Sequence, residues 1–135
     1  MILVDSSVWV DFFRPSFSRP SPGCGGAELR RMIEESEPFA LTGIVVAEVL
    51  QGLTRDAGAI ERFLAQWDML EPSGFDTYRR AAAIYRAGRG KGITSSTIDA
   101  LIAAIALEHG ASIFTLDQDL VRIARMTDLE LYSEI

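Results

Sequence analysis

The chain reads as an α/β protein: a three-layer α/β/α sandwich around a central, mainly parallel sheet of four to five strands. Three observations lead there. Short apolar runs bounded by polar or glycine residues alternate with stretches whose apolar residues recur at helical spacing. The 135 residues, 48% of them hydrophobic, suffice for one core and are too few for two, so residues 1–135 form a single domain. An acidic residue recurs where an apolar run gives way to a helix, first at Asp5 and again at Asp117.

Ile2, Leu3 and Val4 make the first strand, and Val8, Trp9, Phe12 and Phe13 give the next helix its apolar face. Asp5 stands at the junction, where it competes with Ser6 and Ser7 to cap that helix. Arg14 to Gly26, with Pro15, Pro20, Pro22 and three glycines, reads as a loop. Ala27 to Glu35 is a short amphipathic helix and Pro38 to Leu41 a second strand. Thr42 then caps a helix from Ile44 to Leu53, in which Glu48 is the only charged residue. A carboxylate in such a run is costly to bury unless it is paired, protonated or bound to a metal. Glu48 lies too deep in the helix to be a cap, which leaves a water-facing rim position as the bland alternative.

Asp56 to Trp67 forms a further helix and Met69 to Glu71 a brief strand. Phe75 to Gly88 is a longer helix ending in Gly88-Arg89-Gly90-Lys91-Gly92. This basic stretch lacks the preceding strand of a dinucleotide or P-loop motif. It is either a contact for a phosphate backbone through Arg89 and Lys91 or a flexible helix end. Ile98 to His109 is almost wholly apolar and therefore buried, with Asp99 in its first turn, where Ser96 and Asp99 match a capping box. Ser112 to Thr115 is a strand, Asp117 and Asp119 open a helix through Arg125, and Leu129 to Tyr132 is an edge strand.

Composition narrows the function classes. No apolar run approaches the roughly 20 residues that cross a bilayer, and no basic segment precedes the first apolar run, so neither a membrane anchor nor an export signal is expected. A lone cysteine, Cys24, allows no internal disulfide, which points to the cytoplasm. One His and one Cys also exclude a zinc site of the usual nitrogen and sulfur type. The net charge of −6 disfavours a nucleic-acid partner on average, although acids gathered in one site would leave basic residues elsewhere to form a patch.

Right-handed crossovers between parallel strands bring every strand's C-terminal end to one edge of the sheet. Asp5 and Asp117 end strands there, and Glu48 and Asp99 lie in the early turns of helices that begin there. Carboxylates within ~4 Å repel by about 1–4 kcal/mol per pair, so such a cluster persists only with a cation or with shared protons. Oxygen-only ligation selects Mg²⁺ or Mn²⁺, and the chemistry that suits it is phosphoryl transfer to water.

The segments LVDSSVWVDFF, VVAEVLQGL and SSTIDALIAAIALEHGASIFTLDQDL, in this order and spacing, resemble the PIN-domain nucleases, and most of all the VapC toxins of bacterial toxin–antitoxin pairs. The resemblance implies that Asp5, Glu48, Asp99 and Asp117 hold the metal, with Ser6 and Thr115 as supporting hydroxyls and Asp119 as a second acid beside them. It also implies an RNA substrate, a homodimer and a cognate antitoxin protein. Two other readings compete: a catalytically degenerate binding domain that kept the fold, and a phosphatase or phosphotransferase using the same acidic edge. The second needs another Asp beside the first or a suitably placed lysine, and Lys91 is the only lysine.

Overall fold

The computed structural model describes residues 1–17 and 24–133. Four parallel strands, β1 (Ile2–Val4), β2 (Ala40–Leu41), β3 (Asp68–Met69) and β4 (Ser112–Phe114), lie in the order β3-β2-β1-β4. Seven α-helices are present among the described residues: α1 (Ser6–Phe12), α2 (Cys24–Glu34), α3 (Gly43–Gln51), α4 (Ala57–Leu64), α5 (Phe75–Gly90), α6 (Thr97–Glu108) and α7 (Gln118–Met126). From β1 to β3 the chain steps one way across the sheet; it then returns through α5 and α6 to set β4 on the far side of β1. With right-handed crossovers this puts α1 to α4 on one face and α5 to α7 on the other, and α5, α6 and α7 indeed pack against one another. The expected edge strand shrinks to a single parallel bridge between Ile113 and Leu131.

The core is apolar and tight. Leu3, Val4, Leu41 and Ile113 of the sheet are fully buried, as are Met32, Val45, Val49, Ile102 and Leu120 of the helices. Trp9 is the largest fully buried side chain, stacked on Phe13 and edged by Phe12 and Phe63, with Phe39 and Trp67 tilted against it. Such ring pairs add about 0.5–1.5 kcal/mol each beyond their buried area. Among the described residues no helix is long and apolar enough to cross a membrane.

Several local expectations are corrected. The loop expected over 14–26 contains a 3₁₀ turn at Arg14–Phe17, tied down by Ser16 Oγ donating to Asp56 (2.7 Å) and Thr54 N–H donating to Ser16 O (2.9 Å). Its last residues are already helical, because α2 begins at Cys24; residues 18–23 lie outside the described ones. Packing overrides glycine's poor helix propensity there. A Cβ at Gly26 would come within 3.0 Å of the Asp11 and Phe12 backbone, and the bare Gly26 N–H donates to Asp11 Oδ2 at 2.7 Å. Thr42 occupies the N-cap of α3 but makes no side-chain cap; its hydroxyl donates to Leu70 O at 2.8 Å. The basic end of α5 is not a frayed terminus. Ile93 N–H donates to Gly88 O (2.7 Å) and Gly92 N–H to Arg89 O (3.2 Å), a Schellman cap in which Gly92 takes φ +74°.

Candidate active site

In an open parallel sheet, ligands bind outside the strands' carboxyl ends where the strand order reverses. That point lies here between β1 and β4, whose register pairs Val4 with Phe114. The next residues on the two strands, Asp5 and Thr115, therefore meet at the mouth of the crevice.

Asp5 is 2% exposed and follows β1 as the N-cap of α1. Its Oδ2 accepts from Ser7 Oγ at 2.7 Å, Thr115 Oγ1 at 2.8 Å and, more weakly, Ser7 N–H at 3.4 Å. Among the described residues Oδ1 accepts none, so the cap and both hydroxyls use Oδ2 and leave Oδ1 without a hydrogen bond there. Ser7 Oγ also accepts from Leu116 N–H (2.9 Å) and Thr115 Oγ1 from Asp117 N–H (2.9 Å), locking the β4–α7 turn to the start of α1. Sequence reasoning left Ser7 as a competing cap and so missed this role. The doublet Ser6-Ser7 after Asp5 was the available signal, because consecutive residues at a helix start point to different partners.

Ser6 takes the other partner: its Oγ donates to Glu48 Oε1 at 3.0 Å, joining α1 to the middle of α3. Glu48 is half-buried, and its pKa is raised above the usual carboxylate value. Desolvation is the main cause, opposed by the Ser6 bond and reinforced by the charges of Asp5, Asp99 and Asp117. The four acids named from the sequence thus share one electrostatic neighbourhood.

Asp99 is buried in the first turn of α6, where Ser96 Oγ accepts from its N–H at 3.0 Å. Its pKa is also raised, first by desolvation and then by Asp117 and Asp119, against the Ser96 hydrogen bonds. The Ser96 cap of α6 therefore coexists with Asp99's membership of the cluster. Asp117 caps α7, its Oδ1 accepting from Asp119 N–H at 2.9 Å. One carboxylate oxygen from each of Asp99, Asp117 and Asp119 lies within 4.8 Å of the others. Asp119, whose role the sequence left open, thereby joins the tightest acid group among the described residues.

The group's donor set suits a hard divalent cation: oxygens only, with like charges close enough to repel. Among the described residues no lysine, arginine or histidine forms an ion pair with Asp5, Glu48, Asp99 or Asp117, and Asp119 pairs with Arg122 at 2.7 Å. His109, at the far end of α6, bonds Glu71 O at 2.7 Å instead. Arg89 and Lys91 are both exposed at the Schellman-capped end of α5, with the Arg89 guanidinium 5.9 Å from the Tyr85 ring centroid.

Comparison with known proteins identifies the family. The family model described as the PIN domain matches residues 2–126. Ribonuclease VapC11 of Mycobacterium tuberculosis is 38% identical over 137 aligned residues that cover 98% of each chain. Among solved structures, VapBC2 from Rickettsia felis, bound to a DNA fragment from its promoter, superposes with a TM-score of 0.71 at 18% identity over 98% of both chains. A toxin–antitoxin complex from Klebsiella pneumoniae gives 0.65 at 21% identity over 87% of this chain and 88% of its counterpart. With its crevice, its acids and these relatives, the chain belongs to the PIN-domain family.

Proposed function

We propose that this protein is a Mg²⁺-dependent endoribonuclease, with Mn²⁺ as a substitute, acting in the cytoplasm as the toxin of a type II toxin–antitoxin pair. The observation that carries the reading is the convergence of Asp5, Glu48, Asp99, Asp117 and Asp119 on one sheet edge, with no ion pair to the first four among the described residues. The VapC ribonuclease relatives support the RNA substrate, and the toxin–antitoxin structural neighbour supports a cognate antitoxin partner.

A divalent cation bound by Asp99, Asp117 and Asp119, with Asp5 and Glu48 beside them, would acidify a water molecule and offset charge on the scissile phosphate. The chain's own residues do the rest. Ser7 and Thr115 fix Asp5 through Oδ2 and leave Oδ1 for ligation. Ser6 fixes Glu48 through Oε1, and the raised proton affinity of this side chain suits Oε2 to accept the proton of the attacking water. Arg89 and Lys91, both exposed, hold the RNA backbone. Tyr78, Ala81 and Tyr85 of α5 and Thr97, Ala100 and Leu101 of α6 line a groove of about 300 Å³ between the two helices, and this face, with the exposed Phe75 one turn before Tyr78, pairs two copies into a homodimer.

Expressing the chain without a partner, beside its Glu48→Gln variant, tests the proposal. Growth arrest by the parent and its relief by the variant at equal protein level is the expected result; a fully toxic variant would contradict the role given to Glu48.

A further inference from the structure

A site built of five carboxylates repels the polyanion it is proposed to cut. A bound divalent cation offsets only two of those charges, so the strand needs a fixed cation at the rim. Arg122 is the only basic residue whose ion pairs reach any of the five acids among the described residues: its Nη1 donates to Asp119 Oδ1 at 2.7 Å. This is its only hydrogen bond among those residues, whereas a guanidinium carries five N–H donors in a planar fork that matches phosphate. The Arg122 side chain is 51% exposed, so the remaining donors stay open to a ligand. Arg125, exposed and without an ion pair among the described residues, lies three residues further along α7. Three helical residues rise about 4.5 Å, so the exposed side of α7 carries acid, cation and cation in succession away from the crevice.

We infer that Arg122 is a phosphate-binding residue for the RNA strand, gripping a phosphodiester next to the scissile one, and that Arg125 continues the track. The inference rests on the nuclease reading above and names residues for substrate positioning that the acid cluster does not include. Because Arg122 already rests on Asp119, it presents the phosphate to the cluster while offsetting part of its charge. An ordinary exposed i,i+3 ion pair would need no RNA and would add little to stability.

The test uses the parent, Arg122→Ala, Arg122→Lys and, as a control with the same charge change on the opposite face of the sheet, Arg62→Ala on α4. The probe is a fluorescein-labelled single-stranded oligoribonucleotide of mixed sequence. Binding is measured in EDTA over a range of salt concentrations, single-turnover cleavage in Mg²⁺, and metal affinity with Mn²⁺ by electron paramagnetic resonance. We expect Arg122→Ala to weaken binding and raise the half-saturating RNA concentration about tenfold. Its salt slope should fall by roughly 0.7, one phosphate contact on a single strand. The limiting rate should change by less than about threefold, Mn²⁺ affinity should be unchanged or tighter, and Arg122→Lys should recover the salt slope; Arg62→Ala should match the parent throughout. Equal RNA affinity and salt slope in parent and Arg122→Ala would overturn the inference. A loss confined to limiting rate and Mn²⁺ affinity would overturn it too, making Arg122 a prop for Asp119. A parent that binds RNA without cleaving it overturns only the nuclease reading, and the binding series still decides Arg122; a parent that neither binds nor cleaves overturns both.

Discussion

Replacing Asp99 by Asn should make the metal-free protein more stable at pH 7, even though it removes an acid from the first turn of α6. Two carboxylates, Asp117 and Asp119, lie within 4.8 Å of Asp99 by their nearest ligand oxygens. At that separation each like-charge pair costs about 1 kcal/mol in water and about 3 kcal/mol at an effective dielectric of 20. Asp117 and Asp119 are part-exposed, so the lower end applies and the two together cost about 2 kcal/mol. Against this, Asn gives up an acid at the start of α6, worth about 0.3–1 kcal/mol, but keeps the backbone bond to Ser96 Oγ and an acceptor oxygen. The net gain is about 1 kcal/mol, or about 3–5 °C in melting temperature for a chain of this size. The pH dependence follows from the raised pKa of Asp99. Between its ordinary value of 3.8 and its raised value the folded protein holds the extra proton, so the parent loses stability as pH rises through that window and carries the full penalty above it. The advantage of the variant should therefore be greatest at neutral pH and shrink on acidification. Saturating Mg²⁺ should reverse the order, because the parent gains binding free energy that the variant forgoes. Thermal melts of both proteins at neutral and mildly acidic pH, in EDTA and in Mg²⁺, decide the matter. A variant that is less stable in EDTA at every pH and responds to Mg²⁺ like the parent would reduce Asp99 to a cap.

Three further outcomes are expected. Arg89→Ala with Lys91→Ala should lower RNA affinity and its salt slope while leaving Mn²⁺ affinity unchanged; an unchanged slope would return this segment to being a capped helix end. Phe75→Glu with Tyr78→Glu should convert a dimer into a monomer in sedimentation, and a parent already monomeric at high concentration would refute the proposed pairing face. Ser36→Gly should raise stability by about 0.5–1 kcal/mol in urea melts, since Ser36 holds φ 54° at the Schellman end of α2, with Glu37 N–H donating to Met32 O at 2.9 Å; a destabilised variant would mean that its side chain makes up for the strained backbone.

The alternation of apolar runs and helical faces was legible because burial on both faces of a parallel sheet leaves little choice of residue type, as in Ile2–Val4 and Ser112–Phe114. Glu48 stood out because an acid in IVVAEVLQGL has no local explanation. What stayed hidden depends on partners far away in sequence. Ser7 looks like a cap until β4 brings Thr115 and Leu116 against it, more than a hundred residues later. Cys24 to Gly26 looks like a loop until Asp11 supplies an acceptor and α1 a surface that only glycine can approach. Asp117 and Asp119 were equivalent as letters; the capping turn at Asp117 folds Asp119 back into the same group, which no spacing rule reveals. Thr42 shows the converse: a residue suited to capping by type is diverted to Leu70 O by the neighbouring strand.

The central claim is that the acid cluster works as a cation-dependent nuclease centre, and metal-controlled RNA cleavage tests it most directly. Purified parent and Glu48→Gln proteins are incubated with cellular RNA in EDTA, and then with Mg²⁺ or Mn²⁺ in molar excess over the chelator. The parent should be silent in EDTA and cleave at discrete positions once either metal is in excess, while Glu48→Gln stays silent in both. Undiminished cleavage by the parent in excess EDTA, or equal cleavage by Glu48→Gln, would contradict the account.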